Sequence, residues 1–321
     1  MLKLEQAKRQ GEWLAIPWTE AGSAGAGSAG DTPKAGSHPH LMRQWLLASS
    51  LFPDKWVGRL FSVGGIRWEG SSLLLLMFPR ANVDKDKLYV LAKQPPAAGS
   101  PTVPVLYEDD YCLVLDKPAG MPVHEAFAGQ RGTLDEAAAR HCMERGDPLP
   151  VRHIHRLDED TSGPVLYAKN DLAQLRLDEA MREKAIDRRY LALVKGHLAK
   201  RSGTINLPIG KDRHHRARRI VTPGGDHAVT HYETMEQLYG ASLLRVQLET
   251  GRTHQIRVHL SHLGHPLIGD GLYGGDTRLL KHQALHGERL LFAHPWTGEQ
   301  IEVLSPVPEW LQAAMNQLRR F

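Results

Sequence analysis

A short polar stretch, His155-Arg156-Leu157-Asp158-Glu159-Asp160-Thr161-Ser162-Gly163, stands directly before the apolar run Val165-Leu166-Tyr167-Ala168. A turn feeding a buried strand lets a sheet hold polar side chains at a fixed place on its rim. Arg156 and Asp158 are two apart, so in extended backbone they point the same way while Leu157 faces the core. On its own such a stretch reads as a solvated loop. Its meaning depends on what else the chain provides.

A second polar block supplies the counterpart: Gly251-Arg252-Thr253-His254-Gln255-Ile256-Arg257-Val258-His259-Leu260. Thr253 can cap a helix, and Ile256, Leu260 and Leu263 then fall at i, i+4 and i+7 on its buried face. Gly264 marks the stop, with Pro266 just beyond. His254, Arg257 and Ser261 share a different, polar face. One block at a strand edge and one at a helix start read as two walls of a cleft.

The formal net charge is only +4, yet Arg182 to Arg219 carries twelve Lys or Arg against three Asp or Glu, a surplus of nine. The remainder is therefore acidic, and a basic segment on such a chain points to a polyanion partner or to solvated surface charge. The longest uninterrupted apolar run, Leu73 to Phe78, is far too short to cross a bilayer. Met1 to Glu5 has no apolar signal core, so a cytoplasmic protein is expected. Cys112 and Cys142 lie 30 residues apart without a Cys-x-x-Cys pattern. They read as buried small hydrophobes, not as a disulfide framework or a zinc site.

Two small-residue stretches punctuate the chain. Gly22 to Gly30 has no side chain able to build a core, and reads as a flexible insertion near residues 21–39. Pro95-Pro96-Ala97-Ala98-Gly99-Ser100-Pro101 reads as a linker. The expected division is a small unit over 1–95, a linker over 96–104 and a larger unit over 105–321. In the first unit, Trp13 to Ile16 reads as a strand, Leu41 to Leu47 and Trp56 to Phe61 as helices, Gly64 to Gly70 as a strand-turn, and Leu73 to Phe78 as a buried strand. In the second, Thr133 caps a helix running to about Arg145, and Asp171 starts another running to about Ala185. Tyr190 to Val194, Thr204 to Ile209, Ala228 to Leu238 and Leu243 to Leu248 read as strands, with Lys211 to Arg219 as a basic loop.

Helix, helix, glycine turn and strand, with Arg43, Lys55, Arg59 and Arg67 interspersed, resembles the alpha-L RNA-binding module, with Glu69-Gly70 where asparagine-glycine is usual. The larger unit resembles the RluA-type pseudouridine synthases. The blocks at 155–163 and 251–259 carry that resemblance, supported by Tyr107-Glu108-Asp109, Lys117-Pro118-Ala119-Gly120 and Arg189 to Val194 leading to Gly196. Gly264 to Asp270 with Tyr273-Gly274, Leu285-His286 and Ala293-His294-Pro295 complete it, in order, over about Val105 to Pro308. One departure is Arg188, where the family usually has lysine; the charge is kept.

The resemblance implies an α+β catalytic domain on a mixed, mostly antiparallel central sheet flanked by helices, and isomerisation of uridine to pseudouridine in ribosomal or transfer RNA. That reaction breaks the bond from uracil N1 to ribose, turns the base and bonds ribose to C5. No atoms or electrons are gained, so no redox cofactor, ATP or metal is expected. By the resemblance Asp158 is the essential carboxylate, which attacks or stabilises the sugar carbon or takes a sugar proton. Arg257 is the opposite charge that keeps it ionised. Tyr190 stacks on the flipped uracil and assists at C5, and Arg156 fills the place the base leaves. Arg188, Arg189, Arg252, His254, Gln255 and Lys117 complete the expected RNA contacts. Apart from this context, Tyr190 would be a core tyrosine, Arg257 a surface helix arginine and Arg156 a salt-bridge partner.

His153-x-His155 and His259-x-x-His262-x-x-His265 have spacings that metal sites use, but no carboxylate falls at the zinc-hydrolase position and no cysteine is near. A monomer acting on RNA, with no protein partner, is expected. Two other readings compete: a non-catalytic RNA-binding or ribosome-assembly protein on the same fold, and a glycoside hydrolase pairing Asp158 with Asp160.

Overall fold

The computed structural model describes residues 2–19, 32–96 and 99–320. The core of the expected Gly/Ala/Ser-rich insertion thus lies outside the described residues, which resume at Thr32 and enter the first helix at Pro39.

The chain begins with strands β1 (Lys8–Gln10) and β2 (Trp13–Pro17), helices α1 (Pro39–Ser49) and α2 (Asp54–Ser62), and strands β3 (Ile66–Glu69) and β4 (Ser72–Leu76). These four strands form one antiparallel sheet in the order β1-β2-β4-β3. The apolar run at 73–78 is buried except at the half-buried Leu76, because β4 is a central strand with a helix layer on one side. Leu14, Ile16, Met42, Leu46, Trp56 and Leu73 fill this core. Trp18 meets Trp45 and Trp68 edge-on, at centroid distances of 5.0 and 5.6 Å.

The same core continues beyond the first unit, taking in Leu149, Leu172, Tyr111 and Trp296. Trp296 stacks on Tyr111 at 5.7 Å, and Arg9 reaches Asp110 and Asp147, each at 2.7 Å. Helix α3 (Lys87–Ala92) precedes the proline linker but packs on α4 (Leu134–Glu144). Its buried Tyr89 donates to the Leu149 carbonyl. The linker therefore does not divide the packing: apolar surface is buried across it on both sides.

Strands β5 (Val105–Glu108), β6 (Cys112–Lys117), β7 (Arg152–His153) and β8 (Gly163–Ala168) form a second antiparallel sheet, ordered β5-β6-β8-β7. Thr133 caps α4 as expected, its hydroxyl accepting from the Glu136 N–H at 3.1 Å. Helix α5 (Asp171–Arg182) follows, capped by Asn170, which accepts from Ala173 N–H at 2.9 Å.

The largest sheet takes β9 (Asp187–Lys195) and β10 (Ser202–Asn206). After a hairpin of β11 (Ile209–Lys211) and β12 (Arg219–Val221) it takes β13 (Val229–Leu238) and β14 (Ala241–Leu248). Helix α6 (Gln255–His262) and strands β15 (Leu285–Ala293) and β16 (Gln300–Leu304) come next, and α7 (Glu309–Arg319) closes the chain. Its order is β10-β13-β14-β9-β15-β16, all antiparallel. One parallel bridge, Ser162 to His286, joins it to the four-stranded sheet at the end of the 155–163 stretch. The α+β arrangement of mostly antiparallel sheets with helices packed on them matches the expectation. Among the described residues no helix is long and apolar enough to cross a membrane.

Candidate active site

The 155–163 stretch is not a strand until Gly163, which opens β8. It crosses from β7 to β8 as an irregular loop, and the Asp158 carbonyl accepts from Thr161 N–H at 3.0 Å to close a turn. Arg156, Leu157 and Asp158 all line one cleft of about 570 Å³. Leu157 also packs between two cores.

The turn is held from behind. Gly287 N–H donates to the Ser162 carbonyl at 2.7 Å, and Ser162 Oγ lies 2.9 Å from His286 Nδ1. Gly163 has φ +123°, and a Cβ there would sit 2.5 Å from the Gly287 carbonyl oxygen, so only glycine lets the two backbones meet. Lys117 is fully buried beneath, donating to the carbonyls of Pro118, Met121 and Glu159 at 2.9, 2.6 and 2.6 Å. Burial pushes its ammonium down to about 7, against the attraction of Asp160, Asp158 and Glu159. The expectation of an RNA contact at Lys117 is corrected here: all three donors are spent inside the protein.

Across the cleft, α6 presents Arg257. Its Nη1 lies 3.1 Å from Asp158 Oδ2. Its Nε and Nη2 reach Asp270 at 2.7 and 2.9 Å in a two-pronged pair. Burial opposes the Arg257 charge, but Asp270 and then Asp158 outweigh it and push its pKa up. One cation thus serves two carboxylates, which leaves the cluster with a net negative charge.

Sequence reasoning places Asp270 and Tyr273 in the supporting motif Gly264 to Asp270 with Tyr273-Gly274 but gives neither a role in the site. Both stand in Gly269-Asp270-Gly271-Leu272-Tyr273-Gly274-Gly275, where an acid among glycines and apolar residues was the available signal. The polar face expected on the second block meets this one tyrosine. His254 Nδ1 lies 2.8 Å from its hydroxyl, Ser261 Oγ donates to its carbonyl at 2.8 Å, and Arg257 sits 5.0 Å over its ring.

Helix α6 stops at Gly264 as expected but departs from expectation at its start and in the burial of Leu263. Its N-cap is His254, not Thr253, in left-handed backbone at φ +58° and without a capping hydrogen bond from its side chain. Such a conformation costs on the order of 1 kcal/mol for a residue bearing a Cβ. Leu263 lies at the other end, half exposed because the helix stops before completing that turn. Ile256 and Leu260 are buried as expected.

Tyr190 lies on the central strand β9 between β14 and β15, its ring in the core below the cleft. Burial pushes its hydroxyl up. Arg188, two residues before it, is buried and lines the same cleft, close enough to Gly251 that a Cβ there would come within 3.0 Å of its Nη1. Among the described residues its Nε has no hydrogen-bond partner. Arg189 points to the other face of the strand and pairs with Asp187 at 2.9 Å, so it stands outside the cleft. Gln255 lines the cleft, but its amide is fully engaged with Thr250, Arg252 N–H, the Val229 carbonyl and Thr230. The RNA contacts expected of Arg189 and Gln255 are corrected on these grounds. Arg252 lines the cleft and donates to the His227 carbonyl at 3.0 Å. Arg156 is exposed at the cleft and, among the described residues, has no ion-pair partner. The salt-bridge reading of Arg156 does not hold.

The described residues contain one grouping with metal-ligand chemistry, Asp109, Cys112 and His294. Asp109 is already saturated by Tyr107, His294 and two backbone N–H groups, and burial pushes the Cys112 thiol up, away from the thiolate a metal needs. It is a hydrogen-bonded staple under β6.

Residues 110–262 match the family model described as RNA pseudouridylate synthase. The chain is 49% identical over 209 residues to "Uncharacterized RNA pseudouridine synthase YhcT" of Bacillus subtilis, covering 64% of this chain and 68% of that protein. It is 36% identical over 298 residues to "Ribosomal large subunit pseudouridine synthase D" of Pseudomonas aeruginosa, covering 85% and 92%. Among solved structures, "Human RNA Pseudouridylate Synthase Domain Containing 1" aligns with a TM-score of 0.58 at 27% identity, covering 69% of this chain and 90% of that one.

Proposed function

The chain belongs to the RNA pseudouridine synthase family, and on that premise we propose that its cleft isomerises uridine in ribosomal RNA with Asp158 as the essential carboxylate. The observation that carries this reading is the Arg257 guanidinium shared between Asp158 and Asp270 in a cleft lined by Tyr190. A carboxylate beside a fixed cation stays ionised when the closed site excludes water. Arg257 holds Oδ2 of Asp158 and leaves Oδ1 for the sugar. The N1–C1′ bond breaks, the uracil turns, C5 bonds to C1′, the C5 hydrogen leaves to water and N1 takes up a proton in its place.

The target base leaves its stack to reach the cleft, at a cost of a few kcal/mol in paired RNA. Arg156, exposed and without an ion-pair partner among the described residues, occupies the vacated place; Tyr190 stacks on the uracil. Arg188, Arg252 and the basic hairpin loop 211–219 take the flanking phosphates. The unit of α1, α2 and the first sheet adds a second RNA-facing surface, and the protein works as a cytoplasmic monomer.

Asp158→Asn tests the assignment. The expected result is loss of tritium release from RNA labelled at uracil C5, with RNA binding retained. Wild-type release from that variant sinks it.

A further inference from the structure

His254 sits in strained left-handed backbone at φ +58° and ψ +22°, and strain of this kind persists where the surroundings hold a side chain in place. Tyr273 is what holds it. The two rings meet edge to face at 5.7 Å, and His254 Nδ1 lies 2.8 Å from the Tyr273 hydroxyl. That hydroxyl oxygen already accepts the backbone N–H of Arg219 at 2.9 Å. A backbone N–H cannot accept a proton in return, so the tyrosine hydrogen is free for Nδ1.

A neutral imidazole carries one ring hydrogen, and with Nδ1 accepting, that hydrogen is on Nε2. Burial favours the neutral ring, outweighing the opposing pull of Asp158. Nε2 lies 3.9 Å from Asp158 Oδ2, the same oxygen that Arg257 holds. That gap is longer than a hydrogen bond, but catalytic hydrogen bonds are often long in the free enzyme and tighten in the complex.

We infer that His254 is a positioning residue for Asp158, the last member of a relay from Arg219 N–H through the Tyr273 hydroxyl to Nδ1, with Nε2–H directed at the carboxylate. With Arg257 and His254 both on Oδ2, Oδ1 is the oxygen presented to the sugar. The relay begins at the first residue of β12, the foot of the basic hairpin, and Arg218 beside it lies 5.7 Å over the Tyr273 ring. The basic loop is thereby tied to the carboxylate through Tyr273 and His254. This rests on the isomerase reading of the cleft, and it assigns His254 to the carboxylate instead of to a phosphate.

The test uses the full-length protein. Nitrogen NMR on histidine-labelled protein, with the His254 signals identified by their loss in His254→Gly, reads the tautomer without turnover. The expected result is Nε2–H in the wild type and a shift toward Nδ1–H in Tyr273→Phe. An Nδ1–H tautomer in the wild type overturns the relay. In the kinetic arm, His254→Gly suits the left-handed backbone and keeps the fold. It is expected to lower kcat about tenfold or more with KM for RNA little changed. His254→Gln, whose amide nitrogen can occupy the Nε2 position, recovers part of the loss. A rise in KM with kcat unchanged makes His254 an RNA contact and overturns the inference. A wild type that fails to isomerise uridine sinks the isomerase reading, while the tautomer still decides the relay.

Discussion

Asp270 holds Arg257 by two nitrogens, Nε at 2.7 Å and Nη2 at 2.9 Å, and leaves Nη1 to reach Asp158 at 3.1 Å. The Asp270 carboxylate is almost wholly buried, so the direction of the Arg257 fork is set from inside the protein. A lone contact with Asp158 would not fix the guanidinium plane; the two-pronged pair does.

Asp270→Asn is therefore expected to damage both stability and turnover. Replacing it takes away the two-pronged pair inside the protein and leaves Arg257 with the single contact to Asp158, a loss of roughly 2 kcal/mol or more. Denaturant titration should show that loss, and single-turnover conversion should slow while RNA affinity holds. Unchanged stability would falsify the buried-pair account.

Gly163→Ala places a Cβ 2.5 Å from the Gly287 carbonyl oxygen at φ +123°. The two sheets are joined here, so the variant is expected to lose roughly 2 kcal/mol or more and to disturb the Asp158 turn. Gly129→Ala is the control: also at positive φ, but with open space around it. Thermal melts of both should separate clash from backbone strain, and equal losses would argue against a clash at 163.

Two buried histidines back the same turn and predict its acid sensitivity. Burial, with Arg188 nearby, pushes His155 down to about 3, and burial pushes His286 down to about 4. Both rings are neutral in the fold, with folded values below the unfolded one near 6.5, so the unfolded chain binds more protons in acid. The stability is present in full above about pH 6.5 and is lost as pH falls toward 4 and then 3, on the order of 1 kcal/mol per pH unit for each ring. Denaturation midpoints between pH 7 and 4 should show the decline, and His155→Gln should flatten it. A slope unaltered in that variant would assign the acid sensitivity elsewhere.

Salt dependence should separate arginines that meet phosphate from those that do not. Arg213→Ala and Arg216→Ala, on the basic hairpin loop, are expected to reduce the slope of log affinity against log salt by about 0.9 for each phosphate no longer neutralised. Arg189→Ala should leave the slope unchanged, because that side chain pairs with Asp187 away from the cleft. The reverse pattern would move the RNA path to the other face of the sheet.

Much of the site was legible because its residues cluster in sequence. Asp158 with Arg156, and Arg257 with His254, each belong to a short block, and Arg188 precedes Tyr190 on one strand face by alternation alone. The elements were legible for the same local reasons: the Thr133 cap, the leucine run of β4 and the Gly264 stop. Apart from the extended reading of 155–163 and the Thr253 cap, what failed were assignments of direction. Lys117, Arg189 and Gln255 are polar residues beside the matching motifs, and a sequence does not show whether a polar side chain turns to solvent or to a carbonyl inside. Asp270 drew no role in the site because its partner Arg257 lies thirteen residues earlier, on the far side of the end of α6.

The chain's order of residues by itself determined many of the strands and helices, though not α3, α7, β15 or β16, together with the two polar blocks and the family chemistry they carry, since periodicity, caps and motif spacing are local properties. Only the tertiary structure decided that one arginine serves two carboxylates, that Tyr273 joins the hairpin to His254, and that the first unit shares its core with the rest. Those facts depend on which buried polar groups find each other when the sheets close, and desolvation leaves such groups no alternative partner.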